Sequence, residues 1–413
     1  MQSLLILGRQ PELGLAELES LYGPGEVRAA GSQAALVDVD PCLLTFNRLG
    51  GSQKFCKVLT TLDDTDWSKI EKFLLGAAPA HAQSMPDGKM HLGLSAYDFK
   101  ETTQRIQATA LKLKKAIRSA DPNRSVRVVP NKESALNTAQ VIHNNLTTPN
   151  GWELVFIKDG QQTIVAQTVK VQDIAAYGAR DQGRPARDSR VGMLPPKLAQ
   201  IIINLAAGPL PESAQQNICD IPAGDPIPPT ILNQTVLDPF CGTGVLLQEA
   251  LLMGYAAYGT DIEKRMIDYS RRNLDWLTDK YQLTDSSVQL EQGDATNHTW
   301  SPAPNLVAAE GYLGKPFTTA PPRDVLAQTM NECNVIIRKT LQNLAKQLPS
   351  GTRLCLAVPA WHMGSKIMHL PLIDHLPELG YNTVDFEATK GLHLTYHRPD
   401  QIVARELLVI IRK

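Results

Sequence analysis

Between residues 234 and 358 the chain alternates short apolar runs with longer amphipathic ones. The stretches 235–239, 244–253, 256–260, 263–276, 288–290, 305–309, 323–348 and 352–358 read as strand, helix, strand, helix, strand, strand, helix, strand. This rhythm constrains the fold more than any other feature, because neighbouring parallel strands need crossovers and helical crossovers cover the faces of the sheet. It predicts an α/β domain on a doubly wound sheet. Near the end, 383–387 and 402–411 read as strands joined by 388–401, a connection too cramped for a helical crossover. Those two are expected to pair antiparallel, which makes the sheet mixed.

The first strand of the series runs into Asp238-Pro-Phe-Cys-Gly-Thr-Gly244, a tight turn that opens a helix. Glycines there let backbone approach a ligand closely, and a helix N-terminus favours anionic groups. Asp238 closes the first strand and Asp261, 23 residues later, closes the second, where an acidic side chain accepts hydrogen bonds from a ribose diol. A dinucleotide fingerprint wants a third glycine about three positions beyond Gly244, where Leu247 stands, and no Asp ahead of the turn. Pyrophosphate binding, and with it a nicotinamide-dependent oxidoreductase, is disfavoured.

Upstream, pieces of both kinds alternate. Residues 3–7, 34–39, 90–97 and 125–129 read as strands; Pro11 opens a helix that Gly23 closes; 101–120 and 135–146 read as helices. Residues 152–157 and 163–171 form a strand pair around Lys158-Asp159-Gly160, which carries a hairpin signal. Residues 100–132 hold nine basic side chains against two acidic ones, a local +7, although the whole chain balances 41 Lys and Arg against 42 Asp and Glu. Ile106, Ala110, Leu113 and Ile117 make the apolar stripe of the helix, leaving Lys112, Lys114, Lys115 and Arg118 outside it. Those cations form either a solvated face or a contact for nucleic-acid phosphates.

Residues 177–193 are rich in Gly, Arg and Asp without a clean period and read as a linker. Its Arg180, Arg184, Arg187 and Arg190 could reach phosphates, or pair with Asp181 and Asp188. Pro195 and Pro196 start a helix to about residue 207, and 208–230, with six prolines, reads as a loop and a surface insertion. The six cysteines stand singly, the closest two 14 positions apart, so no Cys-x-x-Cys zinc site is written and reduced thiols in a cytoplasm are expected, with no metal. No apolar run approaches the ~18 to 20 residues that span a bilayer, and residues 1–8 lack a basic n-region, so the chain is expected to be soluble and free of membrane contact.

Asp238-Pro-Phe-Cys-Gly-Thr-Gly resembles the first motif of class I S-adenosylmethionine-dependent methyltransferases, in the form found in THUMP-domain RNA methyltransferases. Phe46-Asn-Arg-Leu-Gly-Gly51, Val191-Gly-Met-Leu-Pro-Pro-Lys-Leu-Ala199 and Tyr396-His-Arg-Pro-Asp-Gln-Ile-Val-Ala-Arg-Glu406 are similar to stretches of the archaeal and eukaryotic tRNA guanosine N2-methyltransferases that modify the D-arm guanosine at position ten. The resemblance covers nearly the whole chain. It implies a ferredoxin-like α+β subdomain over 1–60, a THUMP-like RNA-binding domain over 61–171, and a Rossmann-like class I methyltransferase domain with a mixed seven-stranded sheet over 172–413. It also implies S-adenosylmethionine as cofactor and tRNA as partner; some relatives need a small zinc-binding activator subunit, and no motif here says whether this chain does.

By the same resemblance, Asp238 meets the amino end of the methionine moiety, Gly242 and Gly244 make room, Asp261 holds the ribose hydroxyls, and Asp294 accepts from the adenine amino group. Phe240, Ile262 and Ala295 complete the implied cofactor set; Lys112, Lys114, Lys115, Arg118, Arg184 and Arg187 form the RNA-binding set. Asp261 could instead cap the helix that follows it, and Asp294 could be a turn residue.

After the fourth strand such enzymes carry Asp or Asn, two prolines, then Tyr or Phe. This chain has Ala309-Glu310-Gly311-Tyr312-Leu313-Gly314, without either proline. The guanine N2 lone pair is delocalised into the ring, so the amine becomes nucleophilic only as an acceptor holds and takes its proton. Glu310 supplies a carboxylate, one methylene longer, and Tyr312 an aromatic face for an extruded base; both are expected to be catalytic. Gly311 removes a restraint on the turn, leaving neighbours such as Pro316 to supply it. Two alternatives stay open: a non-catalytic tRNA-binding protein on a degenerate methyltransferase fold, and a DNA methyltransferase.

Overall fold

The computed structural model describes residues 2–188, 194–219, 221, 226–283, 286–317, 319–363, 366–398 and 401–413. The chain divides into two compact units, one of Met1–Pro11, Glu26–Phe46 and Ser52–Ile174, the other of Glu12–Gly25, Asn47–Gly51 and Ala175–Lys413. Among the described residues no helix is long and apolar enough to cross a membrane.

In the first unit β1 (Ser3–Leu7), β2 (Val27–Ala30), β3 (Ala34–Val37), β4 (Ser52–Leu62), β5 (Met90–Tyr97), β6 (Val126–Val128), β7 (Gly151–Asp159) and β8 (Gln162–Val171) make one sheet in the order β2-β3-β1-β4-β8-β7-β5-β6. β5 runs parallel to β6 and β7, and the remaining pairs are antiparallel. Helix α1 (Pro11–Tyr22) lies almost wholly in the second unit; α2 (Trp67–Ser84), α3 (Thr103–Ala120) and α4 (Thr138–His143) lie in the first. Asp66 starts α2 by accepting from the Ser68 N–H, and Thr102 starts α3 by accepting from the Arg105 N–H. The stripe Ile106, Ala110, Leu113 and Ile117 meets Trp67, Ile70, Leu74 and Ala78 of α2, and both helices bury Met90, Leu92, Leu94 and Ala96, which share a face of β5.

The second unit holds α5 (Ile174–Gln182), α6 (Pro196–Ala207), α7 (Glu212–Cys219), α8 (Pro229–Leu232), β9 (Thr235–Asp238), α9 (Val245–Leu252), β10 (Ala256–Asp261), α10 (Lys264–Tyr281), β11 (Val288–Gln292), β12 (Leu306–Glu310), α11 (Arg323–Gln347), β13 (Arg353–Met363), β14 (Lys366–Met368), β15 (Tyr381–Thr383), β16 (Thr395–Tyr396) and β17 (Val403–Arg412). Its sheet runs β11-β10-β9-β12-β13-β17-β15, with β14 on the edge of β13 and β16 on β17. β9 to β13 are parallel, and β17 is antiparallel to both β13 and β15. This is the mixed Rossmann-like α/β fold read from the rhythm, with the closing pair antiparallel as expected. Alternate residues of β12 serve opposite cores: Leu306 and Ala308 pack with Ile202 of α6 and Leu246 of α9, while Val307 packs with Ile337 and Leu341 of α11. The order reverses at β9, which lies between β10 and β12, and the crevice at such a switch point opens at the carboxyl ends of the strands.

Two stretches read as loops contain helix. Residues 177–182 belong to α5, held by Arg180, which grips Glu249 of α9 with Nε–Oε1 at 2.7 Å and Nη2–Oε2 at 3.2 Å. The partner of Arg180 is therefore a buried helix carboxylate, whereas Asp188 pairs with Arg265 at 3.1 Å. α7 occupies part of the proline-rich stretch. Arg190, residues 191–193 of one family-like segment and residues 399–400 of another lie outside the described residues. The segment around Gly51 has a structural job: the buried Glu17 carboxylate accepts from the N–H groups of Gly50 and Gly51 at 2.9 and 2.8 Å and from Asn204 Nδ2 at 2.7 Å.

Candidate active site

A cavity of about 680 Å³ opens at the carboxyl ends of β9, β10 and β12. This size suits a small-molecule ligand. Asp238, Phe240, Gly242, Asp261, Ile262, Asp294, Ala295, Glu310 and Tyr312 all line it; of the residues expected around cofactor and acceptor base, Gly244 alone does not.

Asp238 ends β9, is 3% exposed and accepts from the Phe240 N–H at 3.0 Å. Burial first, then the negative charges of Asp261 and Glu310, push its carboxyl well above the usual range. A cationic group arriving in the cavity would relieve that cost. Asp261 accepts from the Gly242 N–H on Oδ2 at 3.0 Å and from the Glu263 N–H on Oδ1 at 2.9 Å. Each oxygen keeps a further lone pair, so capping the turn before α10 and holding a diol are compatible. Asp294 likewise serves its turn, accepting on Oδ1 from the Thr296 N–H at 2.9 Å and hydroxyl at 2.8 Å. Ile262 is 64% exposed on the cavity wall, an apolar surface suited to a flat ring.

The two glycines differ. Gly242, at φ +51°, would place a Cβ in open space, its nearest neighbour Phe240 O at 3.9 Å, so nothing of the protein competes for that volume. Gly244, at φ +82°, would place a Cβ 2.9 Å from Ser270 Oγ. Its glycine is required by the left-handed turn and by α10, not by room in the cavity.

Glu310 ends β12 with its side chain 17% exposed, and its Oε1 accepts from Nε of Arg405 on β17. Strand order brings them together: Glu310 pairs with Ala357 of β13, and two residues on, Pro359 pairs with Arg405. Arg405 stood inside a family-like segment, but no spacing in the sequence announced its partner. The restraint expected from Pro316 comes from elsewhere: the Gly311 N–H donates to Ala357 O at 2.9 Å, which proline could not do, and a Cβ at Gly311 would fall 2.7 Å from Ile337 Cδ1. Tyr312 is 38% exposed. The wall also includes Val335, Ile336 and Lys339 of α11, which the sequence did not single out.

The basic side chains are sorted by the structure. In the first unit Lys112 pairs with Glu71 at 2.6 Å, Arg105 with Glu101 at 3.2 Å, and Arg124 turns inward to the carbonyls of Ala82, Met85 and Pro86. Lys114, Lys115 and Arg118 make no ion pair among the described residues; Lys115 and Arg118 are exposed and Lys114 half-buried. Arg184, in the second unit, corrects the expectation of an RNA-facing side chain: it is 3% exposed, with Nη1 3.5 Å from Thr243 Oγ1. The cause is next door, where Ala186 exchanges two 2.8 Å hydrogen bonds with the buried Asn273 side chain and pins the segment inward. Arg187 is exposed.

No family model matches the chain. Three curated proteins, each called tRNA (guanine(10)-N2)-dimethyltransferase, are similar to part of it. The one from Methanothermobacter thermautotrophicus is 31% identical over 169 residues, 41% of this chain and 39% of that one. Those from Pyrococcus abyssi and Methanocaldococcus jannaschii are 28% identical over 175 residues and 35% over 151, covering 42% and 37% of this chain and 40% and 35% of theirs. The chain thus matches about two fifths or less of the length of these curated relatives. Among solved structures, TrmN from Thermus thermophilus is 15% identical with a TM-score of 0.49 over the whole of both chains. The magnesium protoporphyrin IX methyltransferase ChlM from Synechocystis PCC 6803 is 15% identical with a TM-score of 0.29, over 44% of this chain and 70% of that one. Neither likeness decides the fold, which rests on the strand order.

Proposed function

We propose that this chain is an S-adenosylmethionine-dependent tRNA (guanine-N2)-methyltransferase of the THUMP-domain type. The carrying observation is that Asp238, Asp261 and Asp294, each at or just beyond the end of a successive strand, line one cavity together with Glu310 and Tyr312. The names of the three partial relatives support tRNA guanosine as the acceptor. In this reading residues 61–171 are the THUMP-like RNA-binding part, preceded by the 1–60 subdomain and followed by the catalytic domain from 172. Lys114, Lys115, Arg118 and Arg187 contact RNA phosphates, with Lys112 secondary because Glu71 already engages it. A cytoplasmic location belongs to the same reading, and so does room for a small activator subunit.

Bound S-adenosylmethionine supplies a methyl group made electrophilic by its sulfonium. Asp238 faces the ligand's amino group, whose positive charge offsets what burial and two acidic neighbours impose on the carboxylate. Asp261 offers the ribose hydroxyls two oxygens already oriented by backbone N–H groups. Asp294 accepts from the adenine amino group while Ile262 covers the ring.

Tyr312 stacks on the extruded guanine, a contact worth about 1–3 kcal/mol. Glu310 accepts a hydrogen bond from N2–H and takes the proton as the new N–C bond forms and the methyl–sulfur bond breaks, its electron pair staying on sulfur as S-adenosylhomocysteine leaves. The alkylated exocyclic nitrogen is a far stronger acid than a carboxylic acid, with its pKa of about 4.3. The carboxylate that takes this proton also needs orientation toward N2–H. Arg405 is the positioning residue that supplies it.

Mass spectrometry of tRNA nucleosides from cells with and without the gene tests the reading. N2-methylguanosine or N2,N2-dimethylguanosine should fall when the gene is removed; an unchanged nucleoside profile would contradict it, and loss of a base modification in duplex DNA instead would favour the DNA methyltransferase.

A further inference from the structure

His369, His393 and Glu406 reach one point from three stretches of the second unit: His369 follows β14, His393 precedes β16, and Glu406 lies within β17. β14 is paired to β13 and β16 to β17, so two excursions from the sheet return to neighbouring strands. One donor atom from each of the three lies within 4.8 Å of the others. His369 Nδ1 is 2.6 Å from Glu406 Oε2, and His393 Nδ1 is 3.8 Å from Glu406 Oε1. The same nitrogen of each ring thus faces one carboxylate, and the rings stack with centroids 4.8 Å apart at 26°. The Glu406 side chain is 13% exposed. Opposite it in the ladder stands Thr395, which is 6% exposed and whose hydroxyl finds no hydrogen-bond partner among the described residues. Directly opposed residues share a face, so that hydroxyl lies beside Glu406 as a ready outer-shell donor to a ligating carboxylate.

From this geometry we infer a divalent transition-metal site formed by His369, His393 and Glu406. Two imidazoles with one carboxylate suit zinc-class ions, whereas magnesium and calcium favour all-oxygen sets. Zinc holds nitrogen and oxygen donors about 2.0–2.2 Å away, which sets tetrahedral donors roughly 3.3–3.5 Å apart. The observed separations, from 2.6 Å to 4.8 Å, bracket that spacing. The ion takes the place of the proton between His369 Nδ1 and Glu406, draws His393 inward and leaves a fourth position to water. It clasps both excursions to β17 at the residue after Arg405, steadying the strand that carries the Glu310 pair. The site departs from the metal-free chain expected from the cysteine spacing, because donors assembled from separate strands leave no short motif.

Full-length protein stripped with a chelator and titrated with Co²⁺ tests this. The wild type should take up one equivalent with visible d–d bands of a nitrogen- and oxygen-ligated ion, displaced by Zn²⁺, and Zn²⁺ should raise its Tm. His393→Ala, at a side chain 64% exposed, and Glu406→Gln should each weaken uptake at least about tenfold and lose the Tm shift. No uptake by the wild type, or uptake unchanged in both variants, overturns the inference.

Discussion

Arg405 donates its Nε–H to Glu310 across the end of β13, joining two residues 95 positions apart whose side chains are 10% and 17% exposed. If Glu310 is the proton acceptor and Arg405 its orienting partner, the two substitutions should differ in kind. Glu310→Gln should lower kcat by about 10²- to 10⁴-fold and leave S-adenosylmethionine affinity unchanged. Arg405→Ala should cost less, about tenfold or more, because the carboxylate remains. Arg405→Lys should recover only part of that, since lysine keeps the charge but not the planar fork. Steady-state kinetics beside calorimetry separate these outcomes, and an Arg405→Ala enzyme with wild-type kcat would show that the guanidinium positions nothing.

If the ligand's amino group meets Asp238, binding should be proton-linked through that residue. Its carboxyl is raised by burial and by Asp261 and Glu310, so the ligand-free protein retains this proton to higher pH than an exposed aspartate does. The sign follows: the contribution of Asp238 to folding is complete below its unfolded pKa and is lost as pH climbs through the raised value. A ligand ammonium that favours the ionised form must therefore release a proton. Calorimetry of S-adenosylmethionine binding in buffers of different ionisation enthalpy should show net proton release and tighter binding as pH rises. Asp238→Asn should abolish the release, and a buffer-independent enthalpy for the wild type would count against the assignment.

Asp261 both orders the turn and faces the cavity, so its loss should be felt mainly in affinity. Removing hydrogen bonds to a charged group worth about 1.5–3 kcal/mol predicts that Asp261→Ala raises the S-adenosylmethionine dissociation constant by about 10- to 100-fold or more. NAD should not bind measurably to either protein. Equal affinity in wild type and variant would remove Asp261 from the site.

The parts of this molecule that were open to a sequence reader are those written in local periodicity. The βα rhythm after residue 234, the strand-end acids and the helix at Thr103–Ala120 with its apolar stripe all depend on spacings of two to four residues or on a turn. Strand β4 and helix α2 were not anticipated. Gly76 and Pro79 read as breakers inside α2, yet Trp67, Ile70, Leu74, Ala78 and Ala82 keep helical spacing and supply enough buried surface to outweigh them. What spacing could not convey was partner choice. Arg180 with Glu249, Lys112 with Glu71 and Arg405 with Glu310 are matched by strand order and helix docking, between residues far apart in the chain. The buried position of Arg184 is likewise set by Asn273, 87 residues on from its neighbour Ala186.

That sorting of cations yields a contrast within one helix. Reversing Lys114, Lys115 and Arg118 to glutamate should weaken tRNA binding and flatten its dependence on salt by up to about 2–3 units in log–log slope, since each phosphate contact contributes roughly 0.7–0.9. Lys112→Ala should change little, because Glu71 already neutralises that ammonium. Binding isotherms over a range of salt provide the measurement, and an unchanged slope in the triple variant would return the helix to a solvated face.

The most direct measurement is transfer of labelled methyl from S-adenosylmethionine to an unmodified tRNA transcript by the purified protein, with the product nucleoside identified by mass spectrometry. The label should appear on N2 of guanosine with the wild type and be nearly lost with Glu310→Gln. Label on another base or atom, or equal transfer by the Glu310→Gln protein, would contradict the account.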